Sequence, residues 1–294
     1  MAQGARIGSV DLLRGLAVVG IVWFHAHAPG ADLALAGLTV FFLLLFFYAP
    51  RLTPPVGLTL VARADRLLRP WLVWSAIYGA AKLAQAAIAG VPLATEFEPW
   101  MLLTGTALHL WFLPFAFLCL LVLGLIESLL DLTSSSGFAA ALAVSAVALP
   151  LSVAIARLDL DHPWSEWGAA LGSVGMGLAL RGTNGSGVRY LWLLAAACIA
   201  TGLSWWLYAA LPLRIPLAVA ATVTALSVTI PSTALTRWIG WSAMPVYLIH
   251  PLMLAPLLQI MAGWPAAVPA LAAVLMSAVA GTAILLFGQA RRLF

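Results

Sequence analysis

Long, almost unbroken apolar runs recur along the whole of this chain, and most approach the ~20 residues that one helix needs to cross the hydrocarbon layer of a bilayer. Of the 294 residues 64% are hydrophobic and 8% charged, against about 25% charged in an ordinary soluble domain, so water cannot be the main solvent. In lipid every backbone N–H and C=O must find its partner inside the protein, which leaves only helices and closed barrels. Barrel strands read as short segments of alternating polarity, whereas these runs are continuous. The expected fold is therefore all-α, a polytopic transmembrane helix bundle.

Laid against that ~20-residue ruler, the sequence yields about ten spans, at 8–28, 33–49, 68–90, 108–130, 138–156, 165–181, 190–211, 215–231, 238–261 and 266–288. Two of them depart from a plain apolar pattern: 165–181 is rich in glycine, and 215–231 is bracketed at its two ends by Pro216 and Pro231. Both are kept, because membrane helices tolerate Gly and Pro. Cytoplasmic loops collect Arg and Lys. With a cytoplasmic N-terminus that side receives Arg6, Arg14, Arg51, Arg63, Arg66, Arg69, Arg181, Arg189, Arg237, Arg291 and Arg292, and the other side only Lys82, Arg157 and Arg214. This segregation predicts an even number of spans with both termini in the cytoplasm.

The formal net charge of +4 thus reports topology, and nucleic acid is not an expected partner. The first run ends in Phe24-His25-Ala26-His27-Ala28, a poor cleavage site, so it reads as a retained helix. The connections are short and no internal repeat is evident, so residues 1–294 read as one transmembrane domain with no separate soluble domain. Cys119 and Cys198 lie in apolar runs without redox or metal-ligand spacing, and no metal cofactor is expected.

Chemistry must then reside inside the bundle or at its mouths. Ionisable residues within a span are costly and mark functional positions by default. The first span carries Asp11, Arg14 and His25. Eleven residues at ~100° each bring Arg14 and His25 to one helix face, ~16 Å apart along the axis. Asp11 is three residues before Arg14 and can pair with it, either as an ion pair at the membrane rim or as part of a lined cavity. Where the third run begins, Arg63, Arg66 and Arg69 recur every three residues, forming a basic stripe suited either to phosphate or to anionic lipid. His109 and Trp111 open the fourth span, where an interfacial position and an acceptor-binding one are both open; His250, beside Pro251, can serve as hydrogen-bond partner of a kink.

Four stretches carry a resemblance: Asp11-Leu-Leu-Arg14-Gly15-Leu16-Ala17 followed by His25; Arg66-Leu-Leu-Arg69-Pro70-Trp71 with Trp74-Ser75; His109-Leu-Trp111-Phe112-Leu113-Pro114; and Trp238-Ile-Gly240-Trp241-Ser242 leading to Tyr247-Leu-Ile-His250-Pro251. In this order they resemble the acyltransferase 3 family, integral membrane O-acyltransferases acting on glycans and related acceptors. One element departs from that pattern: the family shows a Ser-Gly-Phe turn in its second helix, and this chain has Phe41-Phe42-Leu43-Leu44-Leu45-Phe46-Phe47.

The resemblance implies a membrane enzyme that moves an acyl group, acetyl foremost, from cytoplasmic acyl-CoA to a hydroxyl of a sugar, glycolipid or polysaccharide. It implies that Arg66 and Arg69, with Arg63 added from position, hold the phosphates of acetyl-CoA or a related donor. Arg14 and Asp11 would line the path, and His25 would act as general base or acyl relay. His109, Trp111 and His250 are the expected acceptor-side residues. The implied location is the cytoplasmic membrane of a bacterium, and the expected partners are membrane lipid, acyl-CoA and a glycan acceptor. An exporter of a small solute or glycan using the buried Asp, Arg and His is the alternative from another class; a scaffold without chemistry is the third.

Overall fold

The computed structural model describes residues 7–51 and 56–286; the topology arginines Arg6, Arg291 and Arg292 lie outside the described residues. The chain runs through α1 (Gly8–His25), α2 (Ala31–Ala34), α3 (Ala36–Tyr48), α4 (Val56–Ala89), α5 (Met101–Thr104), α6 (Phe112–Leu129), α7 (Ser135–Ile155), α8 (Trp164–Thr183), α9 (Gly187–Tyr208), α10 (Arg214–Ser227), α11 (Ala234–Ile260) and α12 (Ala267–Leu286). Among the described residues there is no strand, and the all-α polytopic bundle stands. Each of the ten apolar runs corresponds to a helix. Among the described residues eight of these segments are long and apolar enough to cross a membrane, as expected of an integral membrane protein.

The two runs that do not meet that measure have different physical reasons. With 14 residues, α10 extends ~21 Å, short of a ~30 Å hydrocarbon core. Helix α8 is long enough at 20 residues, but glycine dilutes its apolarity. Those glycines let it sit inside the bundle. Twelve of its residues are buried, and at Gly168, Gly172 and Gly175 it approaches α7 so closely that Ile155, Leu149 and Ser145 occupy the space a side chain would need. On its other side Thr39 of α3 and Ser173 share a buried hydrogen bond of 2.9 Å. Ser145 of α7 donates to the Gly175 carbonyl at 2.7 Å.

Helix α1 packs against α3, α10, α11 and α12. Its first residues tie it to the end of α10 and the following segment: Gly8 N–H donates to the Ile230 carbonyl at 3.0 Å, and the Ser9 hydroxyl lies 2.6 Å from the Ala225 carbonyl at the C-terminal turn of α10, where carbonyls lack helical donors. Against α11, Gly15 meets Ile239 and Gly240 meets Asp11. These close approaches seat the charged face of α1 on α11.

Helix α4 begins at Val56, twelve residues before the apolar run starts at 68. The intervening Leu, Ala and Arg are good helix formers, and Arg63 and Leu67 give this extension a buried face, so the helix propagates past the polar boundary at which an apolar ruler stops.

Replacing Gly175 by Leu should cost about 1–3 kcal/mol through overpacking against α7 and lower the detergent Tm by roughly 2–10 °C. The control is Gly202→Leu on α9, where nothing lies within 4 Å of the added carbon, and which should leave Tm unchanged; scanning fluorimetry on the purified protein reads both.

Candidate functional site

At one end of α1, Asp11 is buried to 1% exposure and its Oδ1 lies 3.4 Å from Arg14 Nη1. The guanidinium of Arg14 also sits 5.8 Å above the ring of Tyr48, the last residue of α3. The pair is fixed by packing, because Gly240 of α11 leaves the space that the Asp11 carboxylate fills. Eleven residues further along α1, ~16 Å up the axis, stands His25.

His25 is accessible on one side and packed on the other. Its ring centroid lies 5.1 Å from that of His250 on α11, and His250 lies 5.4 Å from His109, in the turn Leu108–Trp111 that leads into α6. The structure thus brings together three histidines separated by 84 and 141 residues in sequence, since 109 − 25 = 84 and 250 − 109 = 141. Two tyrosines complete the cluster. The Tyr78 ring of α4 is 5.0 Å from His109, and Tyr247 is 5.8 Å from His109. Their hydroxyls tie the segments together: Tyr78 donates to the Leu248 carbonyl at 2.8 Å, and Tyr247 donates to the His109 carbonyl.

The orientation of His250 follows from local sequence. Pro251 has no N–H to give to the carbonyl four residues back, that of Tyr247. His250 Nδ1 lies 2.8 Å from that oxygen and supplies the missing donor, with the Val246 carbonyl at 3.3 Å. A carbonyl only accepts, so in the neutral ring the hydrogen resides on Nδ1 and Nε2 is a bare acceptor. Nε2 of His250 and Nε2 of His109 are both buried and have no hydrogen-bond partner among the described residues. A buried polar group left this way costs about 1–3 kcal/mol, which a fold tolerates where the group has work to do.

Trp111 is turned to a different surface. It is buried in an aromatic wall with Phe42 of α3 at 6.5 Å and Phe115 of α6 at 5.8 Å. Phe42 is itself fully buried, edge-on to Phe112 at 4.9 Å, so the phenylalanine-rich second span builds packing where the family pattern has a small polar turn.

The arginines of α4 divide into two kinds. Arg63 is 4% exposed, and its guanidinium is spent on backbone: Nη1 donates to the Leu120 carbonyl at 2.7 Å and Nη2 to the Pro50 carbonyl at 2.5 Å. The single stripe expected from sequence is broken there, because three residues of helix turn each arginine ~60° from the last and Arg63 falls on the buried face. Arg66 is exposed, and Arg69 pairs with Asp65 at 3.1 Å on an open surface. Both are distant from the histidines: Arg66 precedes Tyr78 by twelve residues, ~18 Å along α4.

Three contributors were not singled out in the sequence. Tyr247 is three residues before His250 and so shares its face; Tyr78 is spaced four and seven residues from Trp74 and Trp71. Glu127, an acid inside an apolar run, pairs with Arg181 at 2.8 Å and borders a cavity of about 710 Å³ between the start of α4 and the end of α6, lined also by Arg51, Leu60 and Asp131. This cavity does not reach the histidines. Among the described residues, no group of three or more His, Cys, Asp or Glu is arranged to hold a metal ion.

No curated protein and no solved structure matches the chain. A family model described as an acyltransferase domain matches residues 7–287, from the first turn of α1 to the end of α12. That match covers nearly the whole membrane-embedded chain, and all three clustered histidines lie within it: the protein belongs to the acyltransferase 3 family and is a membrane acyltransferase.

Proposed function

We propose that this acyltransferase takes its acyl group, acetyl foremost, from acyl-CoA in the cytoplasm and places it on a hydroxyl of a sugar, glycolipid or polysaccharide arriving from the opposite side of a bacterial cytoplasmic membrane. The observation that carries the reading is His25: an imidazole open on one side and backed on the other by two buried histidines, at the far end of α1 from the Asp11–Arg14 pair.

In this reading the acceptor oxygen attacks the thioester carbonyl carbon while His25 takes the hydroxyl proton, a task suited to a group with an ordinary pKa of ~6.5. The tetrahedral intermediate collapses with cleavage of the C–S bond. The departing thiolate recovers the proton from His25, leaving an ester and free CoA thiol. In the relay form, an imidazole nitrogen attacks first and the acyl-histidine then passes its acyl group to the hydroxyl. Arg66 and Arg69, solvent-accessible and forked, are the side chains for the donor's phosphates, where paired charge-assisted hydrogen bonds form. The separation between them and the ring cluster along α4, ~14–18 Å, is comparable with an extended pantetheine arm. Arg63 has the separate task of joining α4 to α6 and to Pro50. His109 and His250 back the His25 ring at the end of the bundle where the acceptor arrives, with Trp111 in the aromatic wall beyond them.

The test uses the purified protein with labelled acetyl-CoA and octyl glucoside, a sugar hydroxyl presented in the lipid phase. Wild-type protein should form labelled ester. His25→Ala should lower kcat about 100- to 10,000-fold. Arg66→Ala and Arg69→Ala should each raise the donor KM about tenfold with kcat preserved. Absence of ester together with movement of a solute across proteoliposomes would transfer the protein to the exporter class.

A further inference from the structure

His250 has a feature that acceptor binding does not require. Its Nδ1–H is committed to the Tyr247 carbonyl that Pro251 leaves without a donor, so the ring can neither flip nor change tautomer without exposing that carbonyl again. What this fixes in space is the remaining nitrogen, a lone pair at the fully buried Nε2 without a partner among the described residues. Between ring centroids, the His250 ring lies 5.1 Å from His25, 5.4 Å from His109 and 6.3 Å from Tyr247, whose hydroxyl is engaged by the His109 carbonyl. Of these rings only His25 is also accessible to a reactant.

We propose that His250 is a positioning residue for His25: its Nε2 lone pair accepts the N–H of the His25 ring, which leaves the other His25 nitrogen as the free base on the accessible side. The ring centroids are 5.1 Å apart and the planes tilted by 33°; in this proposal His25 rotates about its side-chain bonds, with substrate seated, to make the contact. The arrangement follows the general logic in which a base is held in one tautomer by a third group, with a buried neutral imidazole here in place of a carboxylate. No covalent bond changes at His250; it holds one proton on His25 so that the opposite nitrogen can take another. The inference rests on His25 as base, and its test is built to separate the two.

Two nearly isosteric variants give opposite expectations. His250→Asn keeps an N–H near the position of Nδ1, which can still donate to the Tyr247 carbonyl, and removes the acceptor at the Nε2 position. His250→Gln places a carbonyl oxygen near Nε2 and gives up the donor to Tyr247. If His250 positions His25, Asn lowers kcat about 100-fold at unchanged donor and acceptor KM while Gln stays within about tenfold of wild type. If His250 only mends the helix at Pro251, Asn is close to wild type and Gln is the damaged variant, and the proposal is overturned. Equal loss in both, or an effect confined to acceptor KM, overturns it too. The double variant His25→Ala/His250→Asn should be no slower than His25→Ala alone, because a group acting through His25 has nothing left to position. Should His25→Ala itself turn over normally, the base reading falls; should it be inactive while His250→Asn is normal, only the positioning role falls. The assay is the acetyl-CoA and octyl glucoside transfer above, with each variant checked for a wild-type elution profile and Tm.

Discussion

One hydrogen bond organises the histidine cluster: the donation from His250 Nδ1 to the carbonyl of Tyr247. In a membrane a helix must satisfy its own backbone, and Pro251 removes one donor from the middle of α11. The side chain that makes good the loss is thereby held in place, with its ring beside those of His25 on α1 and His109 in the turn before α6. Tyr247, whose carbonyl receives that bond, sends its hydroxyl to the His109 backbone, and Tyr78 sends its own to the next carbonyl along, Leu248. A local defect in one helix is thus repaired by residues that also join α4, α6 and α11.

Around this point the bundle is held by close approach more than by charge. Glycine lets α1 lie on α11 at Gly240 and lets α8 lie on α7 at Gly168, Gly172 and Gly175. Without a hydrophobic drive between helices in lipid, such contacts and the few internal hydrogen bonds decide which helices are neighbours. Two of the ionic contacts lie elsewhere in the bundle: Asp11 with Arg14 at the start of α1, and Glu127 with Arg181 between α6 and α8. Both keep charge at a distance from the imidazoles, which therefore sit among aromatic rings and backbone carbonyls.

Helix α4 extends beyond the apolar run that marks it in the sequence. An apolar ruler detects the part of a helix apolar enough for lipid, and it stops at Arg66 and Arg69 because charge interrupts the run there. Helix propagation has no such boundary, so the real helix continues to Val56. The same ruler cannot tell an arginine that faces water from one that donates to carbonyls, and Arg63 proved to be the second kind. The α8 run was legible as a helix, but its place inside the bundle depended on which partners its glycines would admit.

By itself the sequence determined the solvent and the all-α class, because apolar run length and scarcity of charge are one-dimensional quantities that the bilayer reads directly; of its ten expected spans, eight have the length and apolarity to cross. It also determined the family, since four short motifs in order survive without any knowledge of folding, and it marked His25 as costly to bury. Only the tertiary structure decided that His25, His109 and His250 are neighbours, that Tyr78 and Tyr247 frame them, and that Arg63 is structural. Those facts depend on which helix faces meet. In lipid that is settled by glycine-sized clearances and single hydrogen bonds between residues distant in the chain, and neither leaves a periodic trace in the sequence.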